Sequence, residues 1–215
     1  MKKKLSFIKT LIAFISVATI TTAIMLISTS GLAIRNISAS ETDTLKGLKD
    51  FYNGYFPIGV AVAPNSFEGA QGELIKKHFN SLTPENVMKP GPIHPEENRY
   101  NWDGADKIVA FAQTNGMKVR GHTLCWHSQT AAWMFKDSQG NQATKEIALA
   151  RLKDHITQVV TRYKGKVYAW DVLNEAIVDD KDPAKIYRES PWYKICGEDY
   201  IAKAFQWAHE ADPDA

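Results

Sequence analysis

The sequence has little cysteine: Cys125 and Cys196 are the two in a chain of 215 residues. Two cysteines are too few for a disulfide framework. In an exported protein they could pair, but two buried free thiols are the expected state, because free cysteine is among the most buried residue types. The sequence also lacks a CxxC motif and any Cys/His spacing typical of zinc. We therefore predict no metal site and no cofactor.

Two further motifs are missing. No glycine-rich phosphate fingerprint follows the first predicted strand, so a nucleotide-binding open sheet is unsupported. No basic patch is interleaved with aromatic residues, so a nucleic-acid partner is not predicted. The formal net charge of +2 arises at the N-terminus, because no acidic residue precedes Glu41 and five basic residues do. These five are Lys2, Lys3, Lys4, Lys9 and Arg35.

The N-terminal segment combines these lysines with an uncharged stretch over residues 10–34. This is the pattern of a secretory signal, although the stretch is longer than usual and reaches the ~20 residues that span a bilayer. Serine and threonine dilute it. We predict a signal peptide over residues 1–39, cleaved after Ile37-Ser38-Ala39, with an uncleaved membrane anchor as the alternative. In both cases residues 40–215 would form one secreted or extracytoplasmic domain.

The rest of the chain alternates predicted strands with predicted helices. The predicted strands are 56–63, 81–84, 118–126 and 170–175. The predicted helices are 67–79, 105–114, 144–163 and 199–210, after a short helical segment within 45–53. Such alternation favours parallel strands with helical crossovers, which is an α/β fold. Four units are half of a (β/α)8 barrel, and a small doubly wound open sheet is the alternative.

Polar side chains crowd the end of the fourth predicted strand, at Asp171, Asn174 and Glu175. In parallel α/β folds that end of the strand carries catalytic groups. The alternative is that Asn174 and Glu175 merely cap the following segment. The strand composition by itself does not decide between these two interpretations.

Two earlier strands also end in polar clusters. In a regular strand His122, Leu124 and Trp126 would share one face and His127 would point to the other. An imidazole and an indole on one face suit a sugar site, although a buried Trp with a satisfied His is the more common arrangement. The loop after the second strand carries Glu85, Asn86 and Lys89 between prolines. It offers a stiff donor and acceptor array, or else a solvated loop with a weak Glu–Lys contact.

Taken together, these segments resemble glycoside hydrolase family 10, the endo-1,4-β-xylanases. The resemblance rests on residues 83–89 (TPENVMK), 121–129 (GHTLCWHSQ) and 170–175 (WDVLNE), and it runs from about residue 45 to the end of the chain. It implies a TIM barrel that binds xylan and xylo-oligosaccharides and cleaves internal β-1,4-xylosidic bonds with retention. No protein partner is implied.

The resemblance also implies roles for individual residues. Glu175 resembles the general acid/base, and Asp171 resembles a residue that supports the site from behind. The positions that resemble sugar contacts are Glu85, Asn86, Lys89, His122, Trp126, Gln129 and Asn174.

One element of the family pattern is missing from the 215 residues. A retaining glycosidase needs two carboxylates about 5–5.5 Å apart. In this family the nucleophilic glutamate ends the seventh strand, in a Thr-Glu-Leu-Asp-like context that does not occur here. The sequence thus resembles the N-terminal half of a xylanase, and we expect this fragment not to turn over xylan by itself. A non-catalytic xylan-binding module on the same scaffold is the alternative.

Overall fold

A computed structural model describes residues 45–178, 182 and 185–215. The chain divides into two units, and the second, Lys46–Ala215, contains all the elements that follow. The leader predicted at residues 1–39 lies outside the described residues. Among the helices that are described, none is both long and apolar enough to cross a bilayer.

Four parallel strands form one sheet in the order of the sequence. They are β1 (Gly59–Val62), β2 (Ser81–Pro84), β3 (Lys118–Trp126) and β4 (Ala169–Asn174). A doubly wound sheet would reverse its strand order at a switch point. The uninterrupted order is that of a (β/α)8 barrel, so the described residues form four consecutive β/α units of that fold, as the sequence predicted.

The helices alternate with the strands, and the predicted boundaries hold to within a few residues. The four long helices are α2 (Gly69–His78), α4 (Asp103–Thr114), α5 (Lys145–Arg162) and α7 (Asp199–Ala211). The short ones are α1 (Leu48–Phe51), α3 (Pro90–Ile93), α6 (Pro191–Cys196) and a 3-10 turn at Ala132–Phe135. Apart from α1, the sequence did not predict the short elements, because four to six residues do not display a helical period.

The core lies between the sheet and the inner faces of the helices. Helix α5 begins at the N-cap Thr144, whose side chain accepts a hydrogen bond from the Ile147 amide. The spacing of apolar residues along this helix predicts one buried stripe, and the structure packs that stripe against β3 and α7. The fully buried members of that stripe are Leu152, Ile156, Val159, Val160 and Tyr163. Burying each such side chain contributes about 1.5–3 kcal/mol, which makes this stripe a major source of stability.

The helical spacing of apolar residues predicts that Leu74 in α2 and Phe205 in α7 lie on the packed faces of their helices, but both are exposed. Leu74 is 56% exposed and Phe205 is 52% exposed, whereas their neighbours Ile75 and Ala204 are buried. Adjacent residues point about 100° apart on a helix, so at the border of a packed face one of the two can be buried while its neighbour is exposed. In α7 the buried face is completed by Trp207 rather than by Phe205.

Cys125 and Cys196 are both buried and both free. The expectation of two buried thiols is confirmed, and the disulfide alternative is wrong. Burial raises the pKa of the Cys125 thiol well above its usual value and that of Cys196 to about 11. Because the thiolate is the reactive form, both cysteines are chemically inert packing residues.

Gly121 lies in β3 directly beside Trp170 of β4. A Cβ atom at position 121 would overlap the Trp170 indole ring. Gly121→Ala is therefore expected to lower the free energy of unfolding by roughly 2–3 kcal/mol, in the upper part of the usual range for overpacking. Urea denaturation followed by tryptophan fluorescence measures this loss.

Gly59 supplies the matched control for that substitution, because a Cβ there would meet only Ser81 at 3.6 Å or more. Gly59→Ala should change the free energy of unfolding by less than about 1 kcal/mol. Adding Trp170→Leu to Gly121→Ala should recover part of the loss, since the smaller side chain makes room. Equal stability of the two alanine variants would show that the indole does not lie where the structure places it.

Candidate active site

Glu175 is the first residue after β4, and its backbone is in the left-handed region with φ +53°. This conformation turns the chain out of the sheet at the C-terminal edge of the strands. The Glu175 Oε2 atom accepts a hydrogen bond from the Trp126 indole Nε1 at 3.0 Å. His127 Nε2 lies 3.7 Å from the same oxygen. The half-exposed carboxyl group is thus held by β3 and remains open to solvent.

The alternation predicted for β3 is wrong at its C-terminal end. The β3–β4 pairing shifts register between His122 and Cys125, and Leu124 is fully buried although His122 and Trp126 are not. After this irregularity both Trp126 and His127 approach Glu175. The assumption of a regular strand had placed His127 on the opposite face and so missed it as a site residue.

The Asp171 side chain links β4 to β3. Its side chain accepts hydrogen bonds from Arg120 Nε at 2.8 Å and pairs with His122 Nδ1 at 2.9 Å. Partial burial alone would raise the pKa of Asp171, but hydrogen bonds from His122 and Arg120 outweigh it and keep the pKa below its usual value. The aspartate therefore stays ionised, which fixes the orientation of the His122 ring.

The loop after β2 contacts the same indole through Lys89. Lys89 is 8% exposed, and its Nζ donates to Asn86 Oδ1 at 2.9 Å. The ammonium also lies over the Trp126 ring, 4.9 Å from the centroid, which is within cation–π range. The solvated-loop alternative is therefore wrong for Lys89. Glu85 is exposed at the start of this loop, where its amide donates to the Val62 carbonyl of β1.

Gln129 follows β3 and also has a left-handed backbone, with φ +46°. Its carbonyl accepts a hydrogen bond from the Gly91 amide at 2.6 Å, which joins helix α3 to the loop that follows β3. Asn174 ends β4 in register with Trp126 and is half-buried. It lies within the strand, and the next helix, α6, is capped by Ser190. The interpretation of Asn174 and Glu175 as helix caps is wrong.

Sequence reasoning missed Arg188 and Trp192 as well as His127. Arg188 Nε donates to the Glu175 carbonyl at 2.8 Å, and Trp192 Nε1 donates to the Trp126 carbonyl at 3.0 Å. Both lie more than ten residues from the groups they contact, so no local pattern marks them. The described residues contain no cluster of three or more His, Cys, Asp or Glu side chains able to hold a metal ion.

The arrangement is one carboxyl group beside an indole, bordered by amide, ammonium and imidazole groups at the C-terminal edge of a parallel sheet. An indole face and convergent hydrogen-bonding groups suit a sugar ring, and the carboxyl group can transfer a proton. Together with the sequential strand order, these features place a candidate sugar site at the edge of the sheet where (β/α)8 barrels carry their active sites. Residues 47–215 match the model of glycosyl hydrolase family 10, and the chain belongs to this family.

Curated relatives agree with this assignment. The chain is 55% identical over 171 residues to a beta-1,4-xylanase of Dictyoglomus thermophilum, covering 80% of this chain and 46% of that protein. It is 50% identical over 171 residues to an endo-1,4-beta-xylanase of Paenibacillus barcinonensis, covering 80% and 51%. The chain thus spans about half the length of the curated relatives it matches.

Solved structures show the same relationship. A crystal structure of a Paenibacillus barcinonensis xylanase in complex with a conduramine derivative is 50% identical and superposes with a TM-score of 0.77, covering 80% of this chain and 51% of that one. An endo-1,4-beta-xylanase from Caldicellulosiruptor owensensis is 49% identical with a TM-score of 0.76 and the same coverages.

Proposed function

We propose that this chain provides the acid/base half of a retaining endo-1,4-β-xylanase. The observation that carries the proposal is the Glu175 carboxyl group, held by the Trp126 indole at the C-terminal edge of the sheet. The same indole contacts Lys89, so the loop after β2 and the end of β4 border one space. A xylose ring in that space would lie within reach of a proton donor and of hydroxyl-binding groups.

The proposed sugar contacts come from strands β3 and β4 and from the loops that follow β2 and β3. Lys89 and Asn86 are already joined to each other, and His122 is oriented by Asp171. Groups that are fixed before the substrate arrives lose little entropy on binding. In this proposal the residues that contact xylan are Glu85, Asn86, Lys89, His122, Trp126, Gln129 and Asn174.

The proposed chemistry has two steps. Glu175 first donates its proton to the glycosidic oxygen while a second carboxylate attacks the anomeric carbon. The bond between that carbon and the glycosidic oxygen breaks, the leaving sugar departs as an alcohol, and a glycosyl–enzyme intermediate remains. Glu175, now a base, then removes a proton from water as the water displaces that carboxylate. The second carboxylate must lie about 5–5.5 Å from Glu175. The resemblance implies that this carboxylate ends the seventh strand of a complete barrel, whereas the described residues contain four strands.

The experiment restores a complete barrel. In the chimeric barrel, residues 46–215 of this chain are followed by the part of the Paenibacillus barcinonensis xylanase that lies C-terminal to its matched region, which is 50% identical to this chain. We expect the chimeric barrel to release reducing ends from xylan, with the β-anomer formed first in proton NMR spectra. The 215-residue chain alone should bind xylo-oligosaccharides without cleaving them.

Two outcomes would contradict the proposal. Binding of xylo-oligosaccharides by a folded chimeric barrel that releases no product would favour the non-catalytic binding module. Initial formation of the α-anomer would show an inverting mechanism and would remove the covalent intermediate.

We further propose that the domain acts outside the cytoplasm, since xylan is a polymer too large to enter a cell intact and the N-terminal segment has the pattern of an export signal. Mass spectrometry of the secreted protein should find a mature N-terminus near residue 40. Retention of residues 10–34 in a membrane fraction would favour the anchor.

A further inference from the structure

The backbone of Glu175 has an unusual conformation, and a hydrogen bond to its carbonyl restrains it. A left-handed backbone at a residue other than glycine costs on the order of 1–2 kcal/mol, so neighbouring contacts must maintain it. The Glu175 carbonyl accepts a hydrogen bond from Arg188 Nε at 2.8 Å. A guanidinium donor makes this bond stronger than one between neutral groups.

Arg188 is itself fixed by the backbone around it. Its amide donates to the Ala176 carbonyl at 2.7 Å, and its carbonyl accepts from the Ser190 amide at 2.7 Å. An antiparallel bridge joins Ile177 to Tyr187 next to it. The chain that leaves Glu175 therefore returns beside it, and the guanidinium is presented from a backbone held at both ends.

The carboxyl group of Glu175 is held by a second set of contacts. Its Oε2 atom accepts from Trp126 Nε1, while the Trp126 carbonyl accepts from Trp192 Nε1 at 3.0 Å. Trp192 is 1% exposed and packs in the core. The indole that orients the carboxyl group is thus anchored to α6, the helix that begins three residues after Arg188.

We infer that Arg188 is a positioning residue for Glu175: it holds the Glu175 peptide in its left-handed conformation and so keeps the carboxyl group on the Trp126 indole. This inference deepens the proposed function and rests on it for its catalytic meaning. The geometric part of the inference does not depend on the proposed function, because the contact between Glu175 and Trp126 exists in the free chain. Arg188 touches the backbone of the proton donor and is not assigned to the sugar or to the reacting atoms.

The arginine also faces a titratable neighbour. Burial lowers the pKa of His127, the positive charge of Arg188 lowers it further, and the Glu175 carboxylate opposes both. His127 is therefore held towards its neutral form beside the carboxyl group. The groups that face Glu175 from β3 and from the returning chain are Trp126, His127 and Arg188.

The indole N–H of Trp126 reports on this arrangement directly. In the 215-residue chain, 15N NMR should resolve the Trp126 and Trp192 indole groups, with Glu175→Gln used to assign the former. In Arg188→Met, which keeps the apolar stem and removes the donor, hydrogen exchange at the Trp126 indole should accelerate at least about tenfold, as expected for loss of a charge-assisted hydrogen bond. Exchange at the Trp192 indole should stay within about twofold.

Two further variants make the result decisive. Arg188→Lys keeps a charged donor and should restore most of the protection at Trp126. Lys194→Met removes an exposed cation from α6 and should change neither indole. The inference is overturned if Arg188→Met leaves Trp126 unchanged, or if it accelerates Trp126 and Trp192 equally, which would indicate general loosening. Failure of the chain to bind xylo-oligosaccharides would refute the proposed function and leave the NMR result intact.

Discussion

Glu175→Gln is expected to reduce the kcat of the chimeric barrel on xylan by about 10²–10⁴, the usual contribution of a positioned proton donor. Glutamine keeps the size of the side chain and can still accept the hydrogen bond from Trp126. The decrease in kcat therefore measures the contribution of the transferable proton. Reducing ends released from xylan at saturating substrate measure kcat. Far-ultraviolet circular dichroism should remain unchanged.

A substrate whose leaving group needs no proton distinguishes a general acid from a residue that only binds the substrate. A xyloside with a dinitrophenolate leaving group needs no proton to depart, so Glu175→Gln should still form the glycosyl–enzyme and show a burst of phenolate. The second step still needs a base, and added azide should restore turnover in Glu175→Ala because a small anion attacks without one. Glu73→Gln, on the outer helix α2, is the control and should keep full activity. Slow release of the dinitrophenolate in the first turnover would contradict the assignment.

Much of the fold could be predicted because local patterns of apolar and polar residues determine its strands and helices. Strand β3 and helix α5 have strong periodicity and clear end signals, and their predicted bounds agree with the structure to within one residue. The choice between barrel and open sheet could not be made from the sequence, because strand order depends on pairing between distant segments. The sequential order of the sheet settles it.

The candidate site was predictable to the extent that it follows the ends of strands. Asp171 and His122 do meet, and Lys89 does share the Trp126 indole with Glu175. What failed was the assumption of strict alternation through β3, since the register shift between His122 and Cys125 turns the last residues of the strand. Arg188 could not be found at all, because a contact between a side chain and a backbone carbonyl thirteen residues away has no composition signature.

Acid should destabilise the fold through two buried imidazoles that are not among the predicted site residues. His94 and His155 are 1% and 0% exposed, and their Nδ1 atoms lie 3.2 Å apart. One Nδ1 must carry a proton and the other must accept it, so a second proton breaks the bond. Burial lowers the pKa of His94 to about 4, against weak opposition from Asp154 and Glu97. Burial and the neighbouring His94 lower that of His155 to about 3, against the Leu124 backbone.

The sign of the effect follows from proton binding. Unfolded histidines titrate near pH 6.5, so between about pH 6.5 and pH 4 the unfolded chain binds more protons than the folded one. Stability is therefore full above pH 6.5 and falls as the pH decreases through this window. We expect the free energy of unfolding at pH 4 to be about 3 kcal/mol below its value at pH 7 from His94 alone, with a further loss from His155.

Variants distinguish the contribution of this histidine pair to the pH dependence of stability from that of carboxyl groups, whose ordinary pKa values of about 4 lie at the lower end of the same range. The double variant His94→Phe/His155→Leu removes both imidazoles, so its free energy of unfolding should vary much less between pH 6.5 and pH 4, whatever its value at pH 7. His209→Asn, at an exposed position on α7, should keep the full pH dependence. A flat profile for the unmodified chain across this window would mean that the two rings are accessible to solvent, because only buried neutral imidazoles make the folded state resist protonation.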